Sequence, residues 1–156
     1  MLYLVVVALT MFLLPIGSIA VQHGFHPDAP LMWLVGKWFV FWGVGVRLAL
    51  AGARQVMQPS FTAREIFHME SNDVLPLVRE LGIANLATGV VGLASLLAPS
   101  FVLPVAISAT IFYGVAGVRH VTERGRSSNE TIAMLSDLFI FAVLAAFIGA
   151  SVLAPR

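Results

Sequence analysis

Apolar residues run along this chain in five long stretches separated by short polar segments. The stretches cover about Leu2 to Val21, Leu31 to Gly52, Leu77 to Leu97, Phe101 to Val118 and Ile132 to Leu153. Each is near the roughly 20 residues that a helix needs to cross about 30 Å of hydrocarbon. A backbone in lipid must satisfy its own hydrogen bonds, so the stretches are expected to be helices. The pattern predicts an all-α fold, with residues 1–156 forming a single integral membrane domain of five transmembrane helices.

Polar signals place structure between the spans. Thr62 and Glu65 match a T-x-x-E capping box, and Phe61 with Ile66 fits the staple that accompanies one. A short amphipathic helix is therefore expected over about 62–70, lying at the membrane interface between the second and third spans. Ser71 offers an N-cap ahead of the third span, with Pro76 tolerated in its first turn. Ser127 and Glu130 form another capping box, at the start of the fifth.

Composition agrees with the pattern. Of 156 residues, 59% are hydrophobic and 11% charged, against about a quarter charged in soluble domains. The absence of cysteine excludes disulfides, thiolate metal sites and cysteine nucleophiles. The net charge of +1 matters less than where the charges fall. Arg54, Arg64 and Arg79 flank the loop after the second span, and Arg119, Arg124 and Arg126 the loop after the fourth. The alternate loops, QHGFHPDAP and APS, carry no lysine or arginine. By the positive-inside rule the N-terminus is expected in the cytoplasm and the C-terminus outside. Lys37 and Arg156 are the exceptions; Lys37 can snorkel at the outer end of the second span, with Trp33 and Trp38 as interfacial anchors. The first span ends near a small-residue triplet, Ser18 to Ala20, but lacks the basic start of a secretion signal, so a retained helix is expected. Topology explains the basic loops, and nothing points to nucleic acid.

Several polar residues interrupt the apolar runs. Arg47, Asn85, Tyr113 and Asp137 each lie about six residues in from the arginine-bearing end of a span, roughly 8–9 Å deep. Glu80 and His120 lie one to two turns nearer that end. An ion inside a membrane is costly unless paired, so such groups usually face a bundle interior or a wet cavity. The expected pairing is Arg47 with Asp137 or Glu80, with Asn85 and Tyr113 adding directional hydrogen bonds. A polar clasp that only fixes helix order accounts for the same residues. The candidate ligand site is thus Arg47, Glu80, Asn85, Tyr113, His120 and Asp137.

Weaker signals remain. Glu65 and His68 have the E-x-x-H spacing used by carboxylate-bridged di-iron proteins, and His120 with Glu123 repeats it in reverse. Glu80 could bridge these groups, giving a candidate metal set of Glu65, His68, Glu80, His120 and Glu123. A solvated surface helix is the simpler account. His23, His26 and Asp28 could hold a metal weakly, though a polar loop explains them as well. Aromatic residues crowd the second span, from Trp33 to Trp42, where membrane anchoring is the simplest role. Ala84, Thr88 and Gly92 form a small-residue stripe, and Gly114 and Gly117 offer another, for packing within the chain or against a second copy.

The segments GARQVMQPSFTAREIFHME, VRELGIANLATGVVGL, FYGVAGVRHV and SDLFIF resemble a family of small bacterial and archaeal membrane proteins defined as a domain of unknown function. The resemblance covers about Arg47 to Ala142 and implies the inner, cytoplasmic membrane of a prokaryote. It brings no activity and no cofactor. A fainter similarity is to DoxX-like proteins, usually four-helix membrane proteins, some linked to quinone-dependent redox systems. Three functions follow as expectations. The first is binding or transport of a small molecule or ion through the polar layer. The second is a membrane-embedded redox or metal-dependent enzyme, and the third an accessory subunit of a membrane complex.

Overall fold

The computed structural model describes residues 2–122 and 127–153, with the Leu2 side chain excepted. Among them are helices and connecting turns, and no strand. Five helices are long and apolar enough to cross a membrane: α1 (Tyr3–Phe25), α2 (Leu31–Met57), α3 (Asn72–Ala94), α4 (Pro99–Thr122) and α5 (Ser128–Leu153). Several overrun the apolar stretches, because capping chemistry and not hydropathy sets their ends. Ser71 Oγ accepts from the Asp73 amide at 3.2 Å and starts α3 well before Leu77. The box at α5 is reciprocal: the Ser127 amide donates to the Glu130 carboxylate at 2.6 Å, and the Glu130 amide to Ser127 Oγ at 3.2 Å.

The interfacial helix differs from expectation. It begins as a turn at Pro59–Phe61 and continues as a wide turn at Thr62–Ile66. Pro59 takes the first helical position, where its missing N–H costs nothing. Thr62 is therefore a buried interior residue and not the expected cap, and the T-x-x-E match makes no capping box. The helix ends early because His68 adopts a left-handed φ of 52°. The Met69 amide then reaches back to the Ala63 carbonyl at 2.8 Å, closing the end in the Schellman manner.

Two helix pairs carry most of the packing, α2 with α3 and α4 with α5. The first is a backbone seam. A Cβ placed on Gly92 would lie 2.7 Å from Gly45 Cα, and one on Gly52 would lie 2.5 Å from the Gly82 carbonyl oxygen. A Cβ on Gly89 would collide with the backbone of Ala49. The seam on α3 runs through Gly82, Asn85, Gly89 and Gly92, all buried, whereas Ala84 faces outward. The expected row Ala84–Thr88–Gly92 repeats every four residues and drifts about 40° around the helix at each step, so it leaves the contact face. Gly114 and Gly117 do pack within the chain, seating the side chains of Phe141 and Leu138. α1 lies against α2 and α5, and α2 also packs its N-terminal half on α5. α3 and α4 contact each other far less than the members of either tight pair do.

Both α1 and α2 contain a wide i→i+5 segment, at Leu9–Leu13 and Val40–Val46, and the two segments meet in the core. Such bulges are rare and recur at functional sites.

Introducing Gly89→Leu should force the α2–α3 backbones apart and cost at least about 1–3 kcal/mol, as overpacking does. Ala84→Leu, on the outward face, should stay within about 0.5 kcal/mol of the parent. Thermal unfolding in mild detergent reads both; equal effects would contradict the seam described here.

Candidate functional site

Arg47 follows directly on the wide segment of α2. Its own amide bonds the carbonyls of Trp42 and Val44, bypassing that of Gly43. Tyr113 of α4 supplies the Gly43 carbonyl with a donor, its hydroxyl at 2.9 Å. A chain irregularity thus binds α4 to α2 beside the arginine.

The guanidinium is held from several directions. Its Nη2 donates to Asp137 Oδ1 and to Ser136 Oγ, both at 2.9 Å. Ser136 can accept because its own hydroxyl proton goes to the Ala133 carbonyl at 2.8 Å. Met11 Sδ of α1 lies 3.8 Å from Nη1, and the Tyr113 ring centroid 5.1 Å from Cζ. The side chains of Arg47 and Asp137 are only 11% and 9% exposed. Among the described residues, no buried side-chain nitrogen or oxygen lacks a hydrogen-bond partner. A paired, bonded ion can persist in such a place where an isolated one could not.

The pair forms part of the wall of a cavity of about 640 Å³. All five helices and the interfacial segment contribute to its lining, which is mainly apolar. Of the expected ligand residues, Arg47, Asn85, Tyr113, His120 and Asp137 line it. Glu80 does not; it is exposed on the outside of α3. Five residues separate Glu80 from Asn85, which turns it about 140° around the helix. Depth could be counted from the sequence, but rotation could not. Asn85 also bonds elsewhere than expected, donating to Gln55 Oε1 of α2 at 2.8 Å.

Several contributors were not anticipated, Gln55 and Arg119 among them. Ser136 precedes Asp137 in the chain and could have been noticed as its neighbour. Arg54, which also lines the cavity, lies seven residues after Arg47, two turns along the same face, though its place at the end of a span marks it first as a topology signal. Tyr3 also lines the cavity, and nothing in an N-terminal apolar run marks it out.

The metal candidates among the described residues are not assembled. Glu65 and Glu80 are exposed, and His120 lines the cavity. His68 Nε2 contacts Glu130 Oε2 at 3.1 Å, tying the interfacial segment to the start of α5. Glu123, like Arg124, Arg126 and Arg156, lies outside the described residues. No group of three or more His, Asp or Glu side chains that could hold a metal forms among the described residues, His23, His26 and Asp28 included. At the opposite end of the bundle, Lys37 does not simply snorkel. Lys37 Nζ and Trp38 Nε1 both donate to Gln22 Oε1, at 3.0 and 2.8 Å, and Trp42 Nε1 donates to Ser18 Oγ at 3.0 Å. These bonds join α1 to α2.

The chain belongs to the family of unknown function DUF6790, whose model matches residues 1–156. The match extends beyond the stretch from Arg47 to Ala142 on which the resemblance rested, and it lends no support to the DoxX-like similarity. No curated protein and no solved structure matches the chain.

Removing one partner of the ion pair leaves the other buried and uncompensated. Asp137→Asn and Arg47→Met should each destabilise by about 3–5 kcal/mol. The double variant Arg47→Met/Asp137→Asn should cost clearly less than the sum, since the two side chains are coupled. Unfolding of all three in mild detergent forms a double-mutant cycle; additive losses would mean that the two groups do not interact.

Proposed function

We propose that this DUF6790 protein is a membrane-embedded binding or transport protein, whose small-molecule ligand occupies the cavity walled by Arg47 and Asp137. The observation that carries the reading is the cavity itself. It lies where all five helices and the interfacial segment meet, and its volume of about 640 Å³ falls in the range of roughly 300–1,000 Å³ typical of ligand pockets. A clasp that served only to order the helices would close on itself. Here the ion pair is fully bonded on one side and borders open space on the other. Mainly apolar walls with a few fixed polar groups are the usual makeup of a small-molecule site. The arginines at the C-terminal ends of α2 and α4 support, through the positive-inside rule, a cavity in the cytoplasmic half of a prokaryotic inner membrane.

The test is native mass spectrometry of protein extracted gently from its membrane. The parent protein should carry a bound small molecule. Leu50→Trp, which fills a lining position that is 51% exposed, should lose it while remaining folded. A bare protein mass for the parent would overturn the reading.

A further inference from the structure

Two amides on the cavity wall constrain the ligand's chemistry. Asn85 of α3 and Gln55 of α2 both line the cavity. The hydrogen bond between them runs from Asn85 Nδ2 to Gln55 Oε1 at 2.8 Å. It leaves Asn85 Oδ1 as an acceptor and Gln55 Nε2 as a donor. Neither atom has a partner among the described residues. No unpartnered nitrogen or oxygen of a described side chain is sealed inside the protein, so both atoms meet open space. Asn85 is only 6% exposed, and the space it borders is the cavity. Exchanging nitrogen and oxygen in both amides would leave the same complement, one acceptor and one donor.

Nearby polar groups are already engaged. Arg47 and Asp137 are committed to each other, and the Tyr113 hydroxyl donates to the Gly43 carbonyl. Much of the remaining wall is apolar and open to the side. Leu50, Ile111 and Val115 line it, yet are 51%, 64% and 67% exposed. Lining residues that also face outward mark an opening. Ile111 and Val115 flank Tyr113 in the chain, and Leu50 follows Arg47 by three residues. The opening therefore lies within the spans, where the surroundings are lipid. A ligand that enters there comes from the bilayer.

Resting on the binding function proposed above, we propose that the ligand is a bilayer-dissolved lipophile whose uncharged head, a carboxamide or hydroxyl, both donates and accepts hydrogen bonds. The head meets Asn85 and Gln55, and the hydrocarbon lies against Leu50, Ile111 and Val115. A carboxylate, sulfate, ester or ketone head only accepts, and would leave Asn85 Oδ1 unmet. An alkylammonium head only donates, and would leave Gln55 Nε2 unmet. In a partly desolvated site an unmet polar group is costly, so the wall selects against both kinds of head.

The experiment uses the full chain in phosphatidylcholine nanodiscs loaded with equal amounts of oleamide and methyl oleate, and in a second set with oleamide and oleyl sulfate. The hydrocarbon chains match. The amide head donates and accepts, whereas the ester and the sulfate only accept. Native mass spectrometry then reads the molecule retained after the disc is stripped. One oleamide should be retained with a preference of about tenfold over either competitor, a difference that one unmet hydrogen bond supplies. Gln55→Met/Asn85→Leu removes both amides together and strands no polar partner, so the fold should persist while the preference disappears. Val115→Trp, at an outward-facing position, should abolish the retention. Equal retention of oleamide and methyl oleate by the parent protein overturns the inference, and so does a preference for oleyl sulfate. A preference that survives in Gln55→Met/Asn85→Leu overturns it too, since the head would then meet other groups. Retention unchanged by Val115→Trp would mark loosely associated boundary lipid and has the same consequence. If the parent holds a molecule from its own membrane that Leu50→Trp expels, yet takes up no oleamide, the inferred head is wrong and the binding function stands. If Val115→Trp and Leu50→Trp both leave every bound species in place, both readings fall.

Discussion

A guanidinium bonded at 2.9 Å to a carboxylate on another membrane helix constrains everything around it. Neither charge can be left alone in apolar surroundings, so α2 and α5 must meet at Arg47 and Asp137 in this register. Sliding either helix by one turn would strand both ions. The neighbours strengthen that demand. Ser136 can accept from Arg47 only because it is itself anchored to Ala133, and Tyr113 reaches the same place through the Gly43 carbonyl. Four helices thus become interlocked at one level, since Met11 brings α1 to the far side of the guanidinium. Bonds of this kind between membrane helices are individually modest. Their joint effect is to select one helix arrangement from several that hydrophobicity alone would allow.

The wide segment of α2 makes that convergence geometrically feasible. An added residue per turn rotates everything beyond Val46 relative to the preceding half of the helix. The N-terminal half of α2 then packs on α5, with Gly36 against Phe147, while the C-terminal half packs on α3. One regular helix with a single apolar stripe would present the same face throughout. The glycines complete the division of labour: Gly45 and Gly52 let α3 come to backbone contact.

Much of this was written openly in the sequence. The five spans follow from hydropathy, the starts of α3 and α5 from Ser71 and the Ser127–Glu130 box, and the meeting of Arg47, Tyr113 and Asp137 at one level from counting residues. The cost of an unpaired ion left Arg47 two candidate partners, Asp137 and Glu80, and the structure pairs it with Asp137. What stayed hidden depends on rotation and on local competition. Glu80 sits more than a turn from Asn85 and on the wrong face, and Ala84 is small but belongs to a row that drifts off the seam. Thr62 has the capping-box spacing, but Pro59 starts the helix first. The wide turns left no readable signature, and they decide where the side chains beyond Val46 point.

The cavity is a consequence of how α3 is attached. Glycine contacts draw α3 tightly onto α2, and that closeness takes it away from α4. α4 in turn is drawn to α5, where Gly114 and Gly117 receive Phe141 and Leu138. Two tight pairs joined through α2 and α5 leave a cleft on the side where α3 and α4 would otherwise close. Bulkier residues at the seam would separate the pairs' members and move helices into that space. The small residues of this chain therefore do more than permit close packing: by concentrating contact in two seams, they leave room beside the one charged group that the membrane would least tolerate exposed.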